Sequence, residues 1–445
     1  MDEDSSMVAS AMAPARMTLA PPPGMRDLLF PQSWRRRELL QRLVEYFGRF
    51  GYEFTLTPPF ELAEVIEPGL TSLDPRELLR FVEPESGEVA LLRPDITPQI
   101  ARIVATLLRE RPAPWRLSYE GTVVRRRFGR ARRQRQIAQA GVECIGLAGI
   151  EADAEVMQLA LGACEAVGLS QLRLELGHVR FADGALQALP ESLRSAAAEA
   201  LARKDLHRLD ALSEPLTKDQ RQHLRALPRL FGGLDTLEQA RRHLQNEVQE
   251  RALDELAQIV EKLRSLDLES RLDIDLGELR GRAYYTGVNF QLLAEGPGEA
   301  LGAGGRYDQL LGRFAFPQPA IGFALDVENL EWALAKGNAA ARPPWTPRLA
   351  VYAASKAAAP SLSSWLDFLR GEGFRAARLT SGRSAEEAMA FARAWGYDAL
   401  VRVEAQQLEL RWVRQPENAR RFESERDASR PELAAALREE SPRAE

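Results

Sequence analysis

Short extended segments separated by turns fill the stretch from residue 89 to 145, and this pattern constrains the fold more than any other feature of the chain. A helical run separates the first segment from the others, and the segments cover 89–92, 116–119, 121–125 and 136–145. Strands joined by turns pair in an antiparallel manner, because a parallel pair needs a long crossover connection. The sequence therefore predicts an α+β fold in which helices cross an antiparallel sheet.

Changes in residue pattern along the chain predict its domain organisation. Residues 181–268 carry Leu and Ala at helical spacing and few strand-forming residues, which predicts a helical insertion into a core formed by 21–180 and 269–340. The proline-rich segment 341–347 is predicted to be a linker. Alternating strand and helix patterns over 348–416 then predict a small α/β domain.

Both ends of the chain are predicted to be poorly ordered. Residues 1–20 are small and polar without periodicity, and residues 417–445 form a charged tail with one short helix near Pro431. The N-terminal residues lack the continuous apolar run of a signal peptide, and no segment has the ~20 apolar residues of a membrane span. Together with only two cysteines, Cys144 and Cys164, this predicts a cytoplasmic protein.

Charge and residue spacing argue against several kinds of site. The net charge of -5 gives no general attraction to nucleic acid or to an anionic membrane. The four histidines are scattered without the spacing of metal ligands, and the glycines at 302, 304 and 305 are not followed by the Lys-Ser/Thr of a phosphate-binding loop. We therefore expect no metal and no cofactor.

The run from Arg125 to Arg135 is a local exception, because it contains seven arginines. It is interpreted either as a solvated loop in an arginine-rich chain or as a surface for phosphate, RNA or an acidic protein. Phe128 is its only aromatic residue, which argues against a stacking platform for single-stranded RNA.

Two features inside apolar stretches indicate a binding site. Glu143 lies in the apolar run GVECIG, where an unpaired carboxylate is costly, so a ligand or an internal partner is required. Tyr284 and Tyr285 alone would be interpreted as core aromatics. Their neighbours, Arg280-Gly281 and Thr286-Gly287, favour a functional role.

These residues belong to separated segments that together resemble the histidyl-tRNA synthetase family, which has the class II aminoacyl-tRNA synthetase fold. The resemblance spans about residues 20–335, and its segments are PPGMRDLLF (22–30), LRPDITPQIAR (92–102), SYEGTVVRRRFGRARRQRQIAQAGVECIG (118–146), ELRGRAYYTG (278–287) and the stretch from GAGGRYD to VENL (302–330). It implies the class II antiparallel core and a dimer formed through the helix and strand that end at Pro58 and Pro59. The domain over 348–416 is similar to a degenerate anticodon-binding domain.

The same resemblance implies a histidine-binding pocket. Each polar group of free histidine needs a partner once water is excluded. By resemblance, the ammonium group is bound by Asp95, Thr97 and Gln139, and the imidazole by Glu143 and Tyr285. The carboxylate is bound by Arg125 and Arg280, and Tyr284 lies beside these residues. Asp95 stands where these synthetases usually have glutamate.

The implied ATP site departs from the family pattern at three positions. Arg127 stands where a glutamate contacts adenine, Asn329 where an arginine holds the γ-phosphate, and Asp326 where a glycine is usual. A neutral amide cannot supply the charge-assisted hydrogen bonds, each worth about 1.5–3 kcal/mol, that a polyphosphate needs. We therefore do not expect an adenylate to form.

These departures, with ARKDL (202–206) and ALPRLFGGLDTLEQAR (226–241), resemble a family of synthetase paralogues, the regulatory subunits of ATP phosphoribosyltransferase. The resemblance implies a non-catalytic role in the first step of histidine biosynthesis, a short-form catalytic subunit as partner and L-histidine as effector. It also implies self-association through the core and gives no reason to expect nucleic acid as a partner. The alternatives are an active histidyl-tRNA synthetase and an RNA-binding or amino-acid-sensing paralogue.

Overall fold

The computed structural model of the chain describes residues 20–70, 73–126, 134–279, 284–336, 346–380, 383–423 and 428–439. The predictions for the N-terminal segment and for most of the linker fall outside these ranges. Within them, no helix has both the length and the apolar character that crossing a membrane requires.

The core is built on a nine-stranded sheet, and a three-stranded sheet lies beside it. In chain order the strands are β1 (Glu53–Phe54), β2 (Phe60–Leu62), β3 (Arg80–Val82), β4 (Val89–Leu92), β5 (Trp115–Val124), β6 (Gln136–Ile145), β7 (Arg173–His178), β8 (Phe231–Gly232), β9 (Leu272–Asp275), β10 (Val288–Leu293), β11 (Gly302–Arg306) and β12 (Ala320–Asp326). The large sheet has the order β1-β5-β6-β12-β11-β10-β7-β9-β8, and all its pairs are antiparallel except β1–β5 and β7–β9. The predicted antiparallel core is confirmed.

Helices pack on this sheet through apolar stripes. They are α1 (Gln32–Arg49), α2 (Ala63–Ile66), α3 (Thr97–Thr106), α4 (Ile150–Ala166), α5 (Val179–Gln187), α6 (Glu191–Ala202), α7 (Leu206–Ser213), α8 (Lys218–Ala226), α9 (Thr236–Arg241), α10 (Glu247–Arg264) and α11 (Val327–Lys336). In α1, Leu39, Leu43 and Phe47 recur at four-residue spacing and are buried, because residues so spaced share one face of a helix. The strand predicted to end at Pro58 and Pro59 is the short β1, which ends at Phe54.

The segment 181–268 is helical, but it is continuous with the core. Helix α10 packs against α4 and α5, and its buried Leu253, Leu256 and Ile259 belong to the same apolar cluster as the sheet residues. The short strand β8 also pairs with β9 and extends the large sheet at one edge.

The C-terminal domain contains a five-stranded sheet of order β14-β13-β15-β16-β17. Its elements are β13 (Arg348–Ala353), α12 (Ala359–Gly371), β14 (Arg375–Arg378), α13 (Ala385–Ala394), β15 (Ala399–Val403), β16 (Gln407–Trp412), β17 (Gln415–Glu423) and α14 (Ser429–Glu439). Helices α12 and α14 share an apolar cluster with one face of the sheet, and α13 packs on the other face.

The poorly ordered tail predicted from residue 417 is wrong for β17, whereas α14 lies where a short helix was expected near Pro431. Strand β17 continues the sheet beside β16, and the side chains of Leu433 and Leu437 are fully buried. Leucines four residues apart form an apolar stripe even in a segment that is otherwise charged. High average charge concealed this stripe.

Candidate functional site

A cavity of about 570 Å³ opens on the large sheet beside the N-terminus of α3. Every predicted site residue that the structure describes lines it: Asp95, Thr97, Arg125, Gln139, Glu143, Tyr284, Tyr285, Asp326 and Asn329. The two remaining predicted residues, Arg127 and Arg280, lie outside the described residues.

Strand periodicity and glycines shape the floor of this cavity. Gln139 and Glu143 lie on the same face of β6, because side chains alternate along a strand. Gly322 of β12 stands opposite Glu143, and a Cβ atom there would lie 1.8 Å from Glu143 Oε2. Only glycine leaves room for the carboxyl group at this position.

The carboxyl group of Glu143 is buried and accepts hydrogen bonds from three hydroxyl groups. Thr97 Oγ1 donates to Oε1 at 2.6 Å, Tyr119 OH donates to Oε1 at 3.2 Å, and Tyr307 OH donates to Oε2. Burial raises the pKa of Glu143 to about 8, although these hydroxyl donors lower it. At neutral pH the carboxyl group therefore holds a proton that a suitable ligand could displace.

Asp95 is a second carboxylate in the cavity. Its Oδ1 accepts a hydrogen bond from the backbone N–H of Ile96 at 2.8 Å. Burial raises the pKa of Asp95, while the positive charge of Arg125 and the backbone N–H groups of Ile96 and Thr97 lower it. The side chain of Asp95 presents an acidic group to the cavity.

Three buried polar atoms of the cavity lining have no hydrogen-bond partner within the described part of the chain. They are Gln139 Oε1, the Tyr284 hydroxyl and Asn289 Oδ1. A buried polar atom without a partner is costly, so a polar ligand or water is expected against them.

Sequence reasoning missed Tyr119, Tyr307 and Asn289. Tyr307 follows the glycine-rich strand in GGRYD, and its position between a glycine run and a carboxylate was a usable signal. Asn289 is a lone amide in the apolar strand VNFQLL, which was a weaker one. Tyr119 carried no signal, because an aromatic residue in a buried strand usually belongs to the core.

The implied ATP side of the cavity is acidic. Beside Asn329, the described lining residues include the acidic Glu299 and Asp326, and Arg125 is the one basic residue among those that the structure describes. Asn329 Nδ2 donates to the carbonyl oxygen of Ala300 at 2.8 Å, so its amide links α11 to the loop before β11. This charge distribution opposes a polyphosphate and suits a cationic or zwitterionic ligand.

A buried ion pair holds the strand next to the cavity. Arg306 Nε and Nη2 donate to Asp153 Oδ1 at 3.0 and 2.6 Å, which joins β11 to α4. Burial raises the pKa of Asp153 to about 6, although the neighbouring guanidinium lowers it. Arg306 also contacts Asp308 at 3.1 Å, so it positions the RYD segment that carries Tyr307.

Within the described ranges, no cluster of three or more His, Cys, Asp or Glu side chains could hold a metal ion. His178 and His223 are buried in packing positions, the first 3.4 Å from Glu255 Oε2 and the second 3.3 Å from Gln249 Nε2.

The family model described as Histidyl-tRNA synthetase matches residues 24–330. A protein from Syntrophotalea carbinolica named ATP phosphoribosyltransferase regulatory subunit is 36% identical over 398 residues, covering 88% of this chain and 92% of its own length. One of the same name from Anaeromyxobacter dehalogenans is 43% identical over 332 residues, covering 73% of this chain and 94% of its own length. The chain belongs to the ATP phosphoribosyltransferase regulatory subunits, within the histidyl-tRNA synthetase family.

Solved structures agree on the fold of this regulatory-subunit family. A Bacillus halodurans structure described as an ATP phosphoribosyltransferase regulatory subunit/histidyl-tRNA synthetase is 26% identical, with a TM-score of 0.76 over 88% of this chain and 99% of that one. The histidyl-tRNA synthetase from Nostoc sp. has a TM-score of 0.77 at 19% identity, covering 95% and 99% of the two chains. The predicted class II synthetase-like fold is confirmed.

Proposed function

We propose that this chain is the non-catalytic regulatory subunit of an ATP phosphoribosyltransferase. A short-form catalytic subunit carries out the glycosyl transfer to ATP that begins histidine biosynthesis, and this chain is required for that activity. Free histidine binds in the cavity on the large sheet and inhibits the complex. The observation that carries the proposal is the acidic cavity around buried Glu143, combined with the names of the relatives.

The lining residues suit the three polar groups of histidine. Glu143 and Tyr285 accept or donate at the imidazole nitrogens, and Asp95 balances the charge of the ammonium group. Arg125 faces the carboxylate, and by resemblance Arg280 joins it. The unpartnered oxygen of Gln139 is then available to the ammonium.

Inhibition requires that histidine bind the active and inactive arrangements with different affinities. A coupling free energy of about 1–3 kcal/mol gives a 5- to 150-fold effect, which is enough for feedback control. The acidic lining and the neutral Asn329 disfavour bound ATP, so the cavity is free for the effector.

Self-association through the core is part of the same proposal. Strand β1 lies at the edge of the large sheet, and near it Phe54, Leu56 and Phe60 are 45%, 73% and 39% exposed. An edge strand with exposed apolar neighbours favours pairing with another chain. We expect Leu56→Glu to shift the sedimentation coefficient toward that of a monomer, whereas Leu107→Glu, at a 75% exposed leucine elsewhere, should not.

Reconstitution tests the function. The chain is mixed with a short-form catalytic subunit, and phosphoribosyl transfer to ATP is measured with and without histidine. We expect activity only in the mixture, and inhibition by histidine. Glu143→Gln should activate normally but resist inhibition, while Glu247→Gln, at an exposed site, should behave as the wild type.

Two outcomes would contradict the proposal. Histidine-dependent exchange of pyrophosphate into ATP by the chain alone would make it an active histidyl-tRNA synthetase. Normal inhibition of the Glu143→Gln complex, together with unchanged histidine affinity in calorimetry, would place the effector site elsewhere.

A further inference from the structure

The C-terminal domain contains a second cavity, of about 280 Å³, beside α13. It lies beyond residue 330, where the match to the histidyl-tRNA synthetase family model ends. Its residues take no part in the histidine cavity. A pocket of this volume lies at the small end of those that hold low-molecular-weight ligands.

Strand register explains why the cavity forms there. Tyr352, Arg402 and Glu409 are register partners in β13, β15 and β16, so they form one row across the sheet on the face that α13 packs against. Arg411 lies in the next row of the same face. Helix α13 contacts β13 and β15, whereas α14 shares the opposite apolar cluster, so β16 borders an open groove on this side.

The charges that line this groove leave donors available to a ligand. Glu409 is 5% exposed and accepts from Arg411 Nε at 2.5 Å and from Arg421 Nε at 3.2 Å, so its charge is balanced. Arg402 pairs with Glu404 at 2.8 Å. In the part of the chain that the structure describes, the terminal nitrogens of Arg411 have no hydrogen-bond partner.

Two further groups of the lining lack partners in the described ranges. The Arg393 guanidinium, on the exposed face of α13, forms no ion pair or hydrogen bond there. Tyr352 is 1% exposed, and its hydroxyl has no hydrogen-bond partner. A buried hydroxyl in this position is costly unless a bound group satisfies it.

Apolar side chains form the rest of the lining, with Met389, Leu400 and Pro416 among them. Arg402 and Glu409 are paired, so Arg393 and the terminal nitrogens of Arg411 are the positively charged donors beside this apolar wall. Guanidinium groups bind carboxylate and phosphate through directed, charge-assisted hydrogen bonds. An apolar wall adds the burial of an organic body.

We propose that this cavity binds a small organic anion. Arg393 and Arg411 hold its carboxylate or phosphate group, the Tyr352 hydroxyl bonds to the same group or its neighbour, and Met389 contacts the organic body. The site is separate from the histidine cavity and does not depend on the proposed effector role of histidine.

Methyl NMR of the full-length protein, labelled at the methionine methyl groups, tests this site. The Met389 signal is assigned with Met389→Leu, and adenosine monophosphate and inorganic phosphate serve as probes. We expect a saturable shift of the Met389 signal with adenosine monophosphate, and weaker binding of inorganic phosphate because it has no organic body. Arg393→Gln should lower the affinity for adenosine monophosphate about tenfold or more, and Tyr352→Phe should also lower it.

Arg378→Gln, at an exposed arginine of β14 outside the cavity, is the matched control and should bind as the wild type. Arg393 has no internal partner in the described structure, so its substitution is not expected to disturb folding. The proposal is overturned if neither probe gives a saturable Met389 shift, or if Arg393→Gln binds as tightly as Arg378→Gln. A Met389 shift with tRNA but not with adenosine monophosphate would overturn it in favour of an RNA surface.

Discussion

Glu143 is the residue whose chemistry decides what the large cavity can bind. It is 1% exposed, and its three hydroxyl donors offset only part of the cost of burying a negative charge. Because its pKa is about 8, the Glu143 carboxyl group is mostly neutral at pH 7 when no ligand lies beside it. An imidazole N–H or an ammonium group placed beside it favours the carboxylate, so ligand binding and proton release are linked.

This raised pKa predicts how Glu143→Gln changes stability with pH. The unfolded carboxyl ionises near pH 4.5 and the folded one near pH 8, so the wild type loses stability as pH rises through this window. Glutamine does not titrate. We therefore expect the free energy of unfolding of the mutant to rise relative to that of the wild type by roughly 1 kcal/mol per pH unit between pH 5 and 8. Urea unfolding at several pH values measures the difference.

A flat difference across that pH window would show that the folded Glu143 ionises normally. Glu247→Gln is the control, because Glu247 is exposed on α10 and should not change the pH dependence. Calorimetry of histidine binding at pH 7 in buffers of different ionisation enthalpy gives a second readout. The wild type should exchange protons on binding, and Glu143→Gln should exchange fewer.

Gly322 predicts a second effect at the residue scale. A Cβ at this position would lie 1.8 Å from Glu143 Oε2 and 2.4 Å from the carbonyl oxygen of Val142, so both a side chain and a backbone would have to move. We expect Gly322→Ala to lower the free energy of unfolding by about 1–3 kcal/mol and to weaken histidine binding. Gly312→Ala, whose nearest atom would be 3.9 Å away, should be near neutral. Equal unfolding midpoints for the two variants would contradict this.

Much of the site could be predicted from residue types, but its internal partners could not. Glu143 in an apolar run demanded a partner, and the structure supplies Thr97, Tyr119 and Tyr307. Residues from two strands, a helix and the turn after β11 converge only through sheet register. Strand register cannot be read from a single sequence, so a tyrosine that contacts Glu143 could not be distinguished from one that only packs in the core.

At the scale of elements, periodicity was most reliable where apolar residues repeat and least reliable where charge dominates. The segment predicted over 136–145 matches strand β6 at both ends. Helix α14 was recognised only as a short helix near Pro431, and the strand before it was missed. Strand β17 has mostly exposed, polar residues, so alternation could not mark it.

Docking of α14 gives a prediction at this scale. Leu437 is fully buried against the apolar cluster that includes α12, so Leu437→Ala should cost about 2–5 kcal/mol in the unfolding of the C-terminal domain. Glu432→Gln, on the exposed side of the same helix, is expected to change stability by less than about 0.5 kcal/mol. Hydrogen exchange of the α14 amides measures both. Equal protection in the two variants would mean that the helix does not dock.

At the scale of the whole molecule, α1 links the C-terminal domain to the cavity on the large sheet. Arg36 of α1 donates to Glu328 at 2.7 Å, and Glu328 accepts from the backbone N–H of Ala138 at 3.1 Å, one residue before Gln139. Two residues further along α1, Glu38 accepts a hydrogen bond from Arg375 of the C-terminal domain. Helix α1 therefore touches both the cavity strand and the C-terminal domain.

Aromatic contacts hold that domain against the start of α1, which leads to a prediction about the shape of the molecule. Phe30 stacks on Trp395 with ring centroids 5.2 Å apart, Arg348 lies 5.2 Å over Phe30, and Arg375 lies 4.1 Å over Trp34. Together these contacts contribute about 2 kcal/mol, which is more than a tenfold change in the docked population. We expect the double variant Phe30→Ala/Trp34→Ala to increase the radius of gyration in small-angle X-ray scattering.

Leu29→Ala is the matched control, because Leu29 adjoins Phe30 in the chain but is 65% exposed. Its scattering curve should superimpose on that of the wild type. The aromatic residues lie at the surface between the domains, so the double variant should keep the unfolding midpoint of each domain while their separation grows. An unchanged radius of gyration in the double variant would show that other contacts, such as the ion pair between Arg375 and Glu38, are sufficient to hold the domains together.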